Sequence, residues 1–82
     1  MPAGKEAEIF GATVRRLRQG RGWTQEQLAD AAGLTTTYVG QVERGVKVPS
    51  LTVVLRLARG LAVTPTDLLA DFTPLLMRSL RF

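Results

Sequence analysis

The sequence predicts a small all-α fold of five helices, with room for a short sixth element near the C-terminus. Apolar residues recur at the three- and four-residue spacing that places them on one face of a helix. Hydroxyl residues precede these segments, where their oxygens can accept from the first-turn N–H groups that lack a partner within the helix. These candidate caps are Thr24, Thr35, Ser50, Thr64 and Thr73.

The stretch from Thr24 to Gly45 predicts two short helices joined by a tight turn. Thr24 precedes Gln27 by three residues, which is the spacing of a capping box, and Gly33 supplies the left-handed residue that commonly follows a helix. Thr35 begins the second helix, which ends just before the last glycine of the stretch. This unit can lay its second helix in a DNA major groove, although any αα-hairpin of a bundle shows a similar pattern.

The second helix of the pair has an outward face that favours DNA binding over a plain hairpin. With Val39 and Val42 turned toward the core, the exposed residues are short, polar and mostly uncharged. A solvated helix usually carries Glu and Lys four residues apart, whereas a face that approaches base edges needs hydroxyl and amide groups. The face consists of Thr36, Thr37, Gly40, Gln41 and Arg44.

Three further segments supply the helices around this pair. A first helix begins near Glu6 and breaks at residues 19–22, and its apolar stripe is Ile9 or Phe10, Val14 and Leu17. A fourth helix follows the Ser50 cap, with an expected apolar face of Leu51, Val54, Leu57, Ala58 and Leu61. A short fifth helix follows the Thr64 cap and contains Leu68 and Leu69.

Several residues admit two interpretations. Trp23 precedes the Thr24 cap, where an apolar side chain packs on the following helix, and stacking on a base is the less favoured alternative. Arg56 and Arg59 lie outside the apolar face of the fourth helix, and solvated charge is favoured over DNA contact. Gly40 either permits close approach to DNA or is a tolerated defect that costs roughly 0.5–1 kcal/mol relative to Ala.

Composition allows DNA binding and disfavours other classes. Eleven Lys and Arg against seven Asp and Glu give a net charge of +4. The pI of about 10.7 exceeds the value of about 9 that suggests a nucleic-acid-binding domain.

Without Cys or His the usual zinc sites are impossible, and scattered acids disfavour an enzyme, so we expect neither metal nor cofactor. With no membrane-length apolar run and no signal peptide, we expect a cytoplasmic protein without a membrane partner.

The predicted domains are a flexible arm (residues 1–5), a helix-turn-helix domain (6–72) and an apolar tail (73–82). The core is filled before the tail begins, and surplus apolar surface usually marks an interface. One recognition helix covers few base pairs, so we expect two copies to pair about a two-fold axis. The expected interface residues are Leu68, Phe72, Leu75, Leu76 and Leu80. The alternative is that the tail folds back over its own domain as a sixth element.

Over roughly Phe10 to Leu69 the chain resembles the Xre-type helix-turn-helix regulators, a family that includes phage repressors. The matching elements are Val14-Arg15-Arg16-Leu17-Arg18, Trp23-Thr24-Gln25, Leu28-Ala29, Gly33-Leu34-Thr35, Val42-Glu43-Arg44-Gly45 and Pro49-Ser50-Leu51. The resemblance implies a repressor-like five-helix DNA-binding domain with its helix-turn-helix at helices 2 and 3.

The resemblance also bears on individual residues. The positions that match the family's base-reading residues are Thr36, Thr37 and Gln41. The expected phosphate contacts are Gln25, Tyr38, Arg44 and Lys47, of which the resemblance supports Gln25 and Lys47. It further implies a partly buried ion pair between Arg18 and Glu43. Phage relatives often carry Gln where this chain has Thr36 and Thr37, so their base preferences do not transfer.

We expect a sequence-specific regulator of transcription that binds double-stranded DNA as a homodimer on a pseudo-palindromic operator, with no small-molecule effector evident. Three roles remain open: a stand-alone repressor or activator, the controller protein of a restriction-modification operon, and the antitoxin of a toxin pair. A compact domain with a short apolar tail looks most like a controller or a small autoregulator. The alternative outside DNA binding is a protein-interaction adaptor that kept the fold.

Overall fold

The computed structural model describes residues 3–82 and confirms the all-α prediction. Its helices are α1 (Lys5–Gly20), α2 (Gln25–Ala32), α3 (Thr36–Glu43), α4 (Leu51–Leu61), α5 (Pro65–Leu68) and α6 (Pro74–Ser79). Residues 3–82 contain no strand, and none of their helices is long and apolar enough to cross a bilayer.

The first helix begins within the segment predicted as the N-terminal arm. Lys5 is already the first residue of α1, and the Ala3 N–H donates to the carbonyl oxygen of Gly45 at 2.6 Å. Of the predicted arm, Lys5 thus belongs to the first helix and Ala3 has a backbone partner in the loop after α3. The remainder of that arm, residues 1 and 2, lies outside the described residues.

Hydroxyl caps begin five of the six helices, as the sequence predicts. In each case the side-chain oxygen accepts a hydrogen bond from the backbone N–H three residues later, at 3.1–3.2 Å. Gln27 and Asp67 reach back to the N–H of Thr24 and Thr64, which completes two capping boxes. These contacts satisfy first-turn donors that would otherwise have no partner in the helix.

Two residues in the left-handed conformation end α2 and α4. Gly33 follows α2 with φ 69° and ψ 35°, and glycine adopts this conformation without steric cost. Ala62 follows α4 with φ 56°, where an L side chain costs roughly 1–2 kcal/mol. The turn after α4 is therefore held against its own backbone preference by the packing of its neighbours.

The core lies between α1, α2, α3 and α4 and is closed by α5. Its fully buried apolar side chains include Val14, Leu28, Val39, Val42, Leu57, Leu61 and Leu68. The predicted burial of Leu51 is wrong, since this residue is 74% exposed. Leu51 belongs to the first turn of α4, beyond the part of the helix that its neighbours cover, and half-buried Val53 and Val54 pack against the core instead.

Gly11 sets the distance between α1 and α3, and the sequence pattern does not single it out. A Cβ atom at this position would lie 2.8 Å from the carbonyl oxygen of Glu43 and would also clash with the carbonyl oxygen of Val42. The absence of a side chain lets the backbones of α1 and the end of α3 come into contact. This close approach holds the second helix of the motif against the rest of the domain.

Candidate nucleic-acid interface

The outward face of α3 is open in its first turn and partly covered beyond it. Thr36 and Thr37 are exposed in its first turn, and Gln41, one turn further, is half-buried. On the opposite side Val39 and Val42 are completely buried. The helix therefore presents hydroxyl and amide groups outward while its valines anchor it in the core.

A buried ion pair fixes α3 relative to α1. Arg18 Nε donates to Glu43 Oε2 at 2.7 Å and Arg18 Nη2 donates to Glu43 Oε1 at 3.0 Å. Only 11% of the Arg18 side chain and 2% of the Glu43 side chain are exposed. The hydrogen bond to Glu43 raises the pKa of Arg18 further above its ordinary value, against the lowering effect of burial. The pair is the one that the family resemblance implies.

The same carboxylate also holds α2. Gln25 Nε2 donates to Glu43 Oε1 at 3.1 Å, and Arg18 Nη1 donates to the carbonyl oxygen of Trp23 at 2.7 Å. Glu43 thus receives hydrogen bonds from the first helix and from the first residue of the second. Gln25 is half-buried, and this hydrogen bond fixes the orientation of its amide. The second N–H of the amide is not used in the bond to Glu43.

The other expected phosphate contacts differ in their surroundings. Arg44 and Lys47 are exposed, at the end of α3 and in the loop that follows. Within residues 3–82 neither has an acidic oxygen within 4.0 Å. Tyr38 is half-buried with its side chain packed against the core. Two uncompensated positive charges therefore lie beside the polar face of α3.

Two arginines outside α3 brace the motif. Arg56 on α4 donates to the carbonyl oxygen of Gly33 at 3.1 Å, and both Arg56 and Arg59 are exposed to solvent. Arg21 donates to the carbonyl oxygen of Leu61 at 2.9 Å, and its guanidinium lies 4.2 Å from the centre of the Trp23 ring. Trp23 itself packs against the core, which agrees with the favoured interpretation. The contacts of Arg56 with Gly33 and of Arg21 with Leu61 join residues 23 and 40 positions apart, so they have no local signal in the sequence.

The predicted interface in the C-terminal segment needs one correction. Leu68 is fully buried in the core of its own domain, so it has no surface to offer to a partner. Phe72, Leu76 and Leu80 are half-buried, and Leu75 is 77% exposed. An apolar groove of about 290 Å³ lies here, lined by Glu6, Leu69, Phe72, Met77, Leu80 and Phe82.

A polar clasp holds the start of this segment on α1. The buried Thr13 hydroxyl donates to Asp71 Oδ2 at 2.8 Å, and Arg16 Nη1 lies 3.3 Å from the same oxygen. The hydrogen bond from Thr13 and the nearby Arg16 lower the pKa of Asp71 below its ordinary value. Sequence reasoning missed this clasp because its members are more than fifty positions apart.

An open polar helix braced on a helix-turn-helix scaffold, with unpaired positive charge beside it, defines a class of protein, the DNA-binding transcriptional regulators. A family profile described as a helix-turn-helix domain matches residues 9–72. The chain belongs to this helix-turn-helix family of transcriptional regulators, and the family is not a class of enzymes. The family membership expected from the sequence is thereby confirmed.

Similar proteins include both general regulators and controllers. The chain is 36% identical over 63 residues to the uncharacterized HTH-type transcriptional regulator YazB of Bacillus subtilis, across 77% of this chain and 91% of that protein. It is 39% identical over 66 residues to control protein C.BamHI of Bacillus amyloliquefaciens, across 79% and 80% of the two chains. The solved structure of the restriction-modification controller protein C.AhdI of Aeromonas hydrophila is 43% identical, with a TM-score of 0.75, across 77% of this chain and 96% of that one.

Proposed function

We propose that the protein regulates transcription as a homodimer that binds a pseudo-palindromic site in double-stranded DNA. The observation that carries this proposal is the open face of α3, braced from behind by the Arg18–Glu43 pair. Gln41 is suited to pair with adenine through its amide, and Thr36 and Thr37 are suited to contact thymine methyl groups or base acceptors. Base recognition is therefore assigned to these three residues.

Affinity is assigned mainly to contacts with the phosphate backbone. Arg44 and Lys47 supply exposed charge next to α3, and the oriented amide of Gln25 supplies a neutral donor. Tyr38, whose side chain packs against the core, is assigned a hydroxyl contact with one strand. Such contacts set the register of a protein on the duplex without reading the sequence.

The interface of the homodimer is assigned to the exposed part of the C-terminal segment. Phe72, Leu75, Leu76 and Leu80 are the residues of the predicted interface that retain accessible surface. Two copies related by a two-fold axis would present their α3 helices to successive major grooves, about 34 Å apart. Doubling the recognition surface in this way supplies the selectivity that a single short helix lacks.

A controller role is the more specific form of the proposal. C.BamHI is named a control protein, and C.AhdI is a restriction-modification controller protein with which this chain shares its fold over 96% of that structure. We infer that this chain also acts as a controller of transcription.

Selection of bound sites from random duplex DNA tests DNA recognition directly. We expect enrichment of two inverted half-sites whose centres are about 10 base pairs apart, one turn of the double helix. The affinities for the selected duplex and for a scrambled duplex are then measured over a range of KCl concentrations. The slope of log affinity against log salt is proportional to the number of phosphates that the protein neutralises. Absence of both enrichment and salt-dependent binding would favour the protein-interaction adaptor instead.

Sedimentation of two matched variants tests the proposed dimer interface. Leu75→Asp and Leu51→Asp each place a charge on a highly exposed leucine in the first turn of a helix. We expect Leu75→Asp to shift the protein toward monomer and Leu51→Asp to leave it dimeric. The opposite result would move the interface from the C-terminal segment to α4.

A further inference from the structure

Gly40 is covered by two side chains of the candidate interface. It lies in the middle of α3, one turn after Thr36 and one turn before Arg44, and it is buried. A Cβ atom added to Gly40 would lie 3.1 Å from Arg44 Nη1, 3.6 Å from Gln25 Oε1 and 3.7 Å from Gln25 Nε2. The guanidinium and the amide therefore converge over the one position of this face that has no side chain.

The two converging groups have unused hydrogen-bond donors. Arg44 has no acidic oxygen within 4.0 Å in residues 3–82, so its positive charge is uncompensated there. Gln25 gives one amide N–H to Glu43, which fixes the amide and leaves the other N–H free. A planar guanidinium beside an amide donor matches the several oxygens of a phosphate group.

We propose that Gly40 is a positioning residue, whose missing side chain lets Arg44 and Gln25 hold one DNA phosphate jointly over α3. This inference rests on the proposed DNA-binding function and adds the arrangement of one contact. A methyl group at Gly40 would crowd Arg44 Nη1 at 3.1 Å, closer than ordinary van der Waals contact. Arg44 is long and exposed, so its guanidinium would move aside while the helices stay in place.

The proposal and the interpretation of Gly40 as a tolerated defect predict different effects of alanine on DNA binding. Alanine in place of a glycine inside a helix stabilises the helix in either case. If Gly40 were only a tolerated defect, Gly40→Ala would leave DNA binding unchanged. If it positions Arg44, the same substitution weakens DNA binding although the protein folds as well as before or better.

Fluorescence anisotropy with a labelled random-sequence duplex over a series of KCl concentrations measures the effect. The slope of log affinity against log salt changes by about 0.9 for each phosphate that the protein no longer neutralises. The variants are Gly40→Ala, Arg44→Ala and their combination. The control is Gly20→Ala, another helical glycine, where an added Cβ meets nothing within 4 Å. Melting temperatures accompany each titration.

We expect Gly40→Ala and Arg44→Ala each to reduce the slope by about 0.9. The double variant should behave like either single variant, and Gly20→Ala should bind like wild type. A Gly40→Ala protein that binds like wild type would overturn the proposal, as would a double variant whose slope falls by the sum of the two single reductions. An unchanged slope in Arg44→Ala would overturn it independently of how Gly40→Ala folds. If the wild type itself lacked salt-dependent binding, the proposed function would fail and this inference with it.

Discussion

Arg18 and Glu43 join α1 to the end of α3 through two hydrogen bonds of 2.7 and 3.0 Å in a site almost closed to water. The same carboxylate accepts from Gln25 at the start of α2. One side chain thus fixes the mutual orientation of the helices that carry the candidate interface. Because water is excluded, loss of either partner would leave an uncompensated charge inside the protein.

Removal of Glu43 should destabilise the fold strongly. We expect Glu43→Ala to lower the free energy of unfolding by about 3 kcal/mol, because Arg18 loses the partner of its buried charge. Urea denaturation followed by circular dichroism measures the change. The double variant Arg18→Met/Glu43→Leu serves as the control and should recover much of the loss, since no buried charge remains. Equal stabilities for Glu43→Ala and wild type would show that the pair contributes nothing.

Substitution of a base-reading residue should weaken binding to one DNA sequence only, whereas substitution of a phosphate-binding residue should weaken binding to every sequence. We expect Gln41→Ala to weaken binding to the selected site by ~1–3 kcal/mol and to have little effect on random DNA. Lys47→Ala should weaken binding to both duplexes alike, because phosphates carry no sequence information. Parallel titrations of the two duplexes give the comparison. Unaltered affinity and preference in Gln41→Ala would refute the assignment of the recognition face.

Gly11 should tolerate no side chain. Gly11→Ala would force a methyl group against the carbonyl oxygens of Val42 and Glu43, and such overpacking typically costs about 1–3 kcal/mol. Gly20→Ala, at the open end of the same helix, should be neutral or mildly stabilising. Thermal unfolding of the two variants gives the contrast. If both had the same melting temperature, the α1–α3 contact would be looser than the structure shows.

Asp71 should make stability depend on acid pH. Its pKa is lowered by the hydrogen bond from Thr13 and by Arg16, so folding favours the charged carboxylate. This contribution is present above the ordinary pKa of 3.8 and is lost as pH falls below that value through the lowered pKa. Asp71→Asn should therefore be less stable than wild type near pH 7, with the difference disappearing under more acidic conditions. Urea titrations at several pH values measure it; a difference that stays constant with pH would rule out the carboxylate as its source.

Local chemistry makes much of the fold predictable from the sequence. Thr24, Gly33 and Thr35 define the two helices of the motif through contacts within three or four residues, and the structure has them where expected. The burial of Val39 and Val42 follows from helical periodicity. A cap or an apolar stripe depends mainly on neighbours in the chain, so it can be recognised without tertiary information.

The features that escape prediction depend on distant parts of the chain. The Thr13–Asp71 clasp and the contact of Arg56 with Gly33 join residues separated by 58 and 23 positions. The assignment of Leu68 to an interface is wrong because an apolar residue near the tail looks the same whether its own domain or a partner covers it. The exposure of Leu51 has a similar origin, since periodicity gives the face of a residue but not how far the neighbouring helices extend.

The short helix α6 has no buried residue in the monomer, and its accessible leucines are those assigned to pairing. Backbone amides in such an element should exchange with deuterated solvent long before those of α1 to α4. If two copies protect each other there, the exchange rate of α6 amides will fall as protein concentration rises. The exchange rate of the α6 amides would then measure the fraction of the protein that is dimeric.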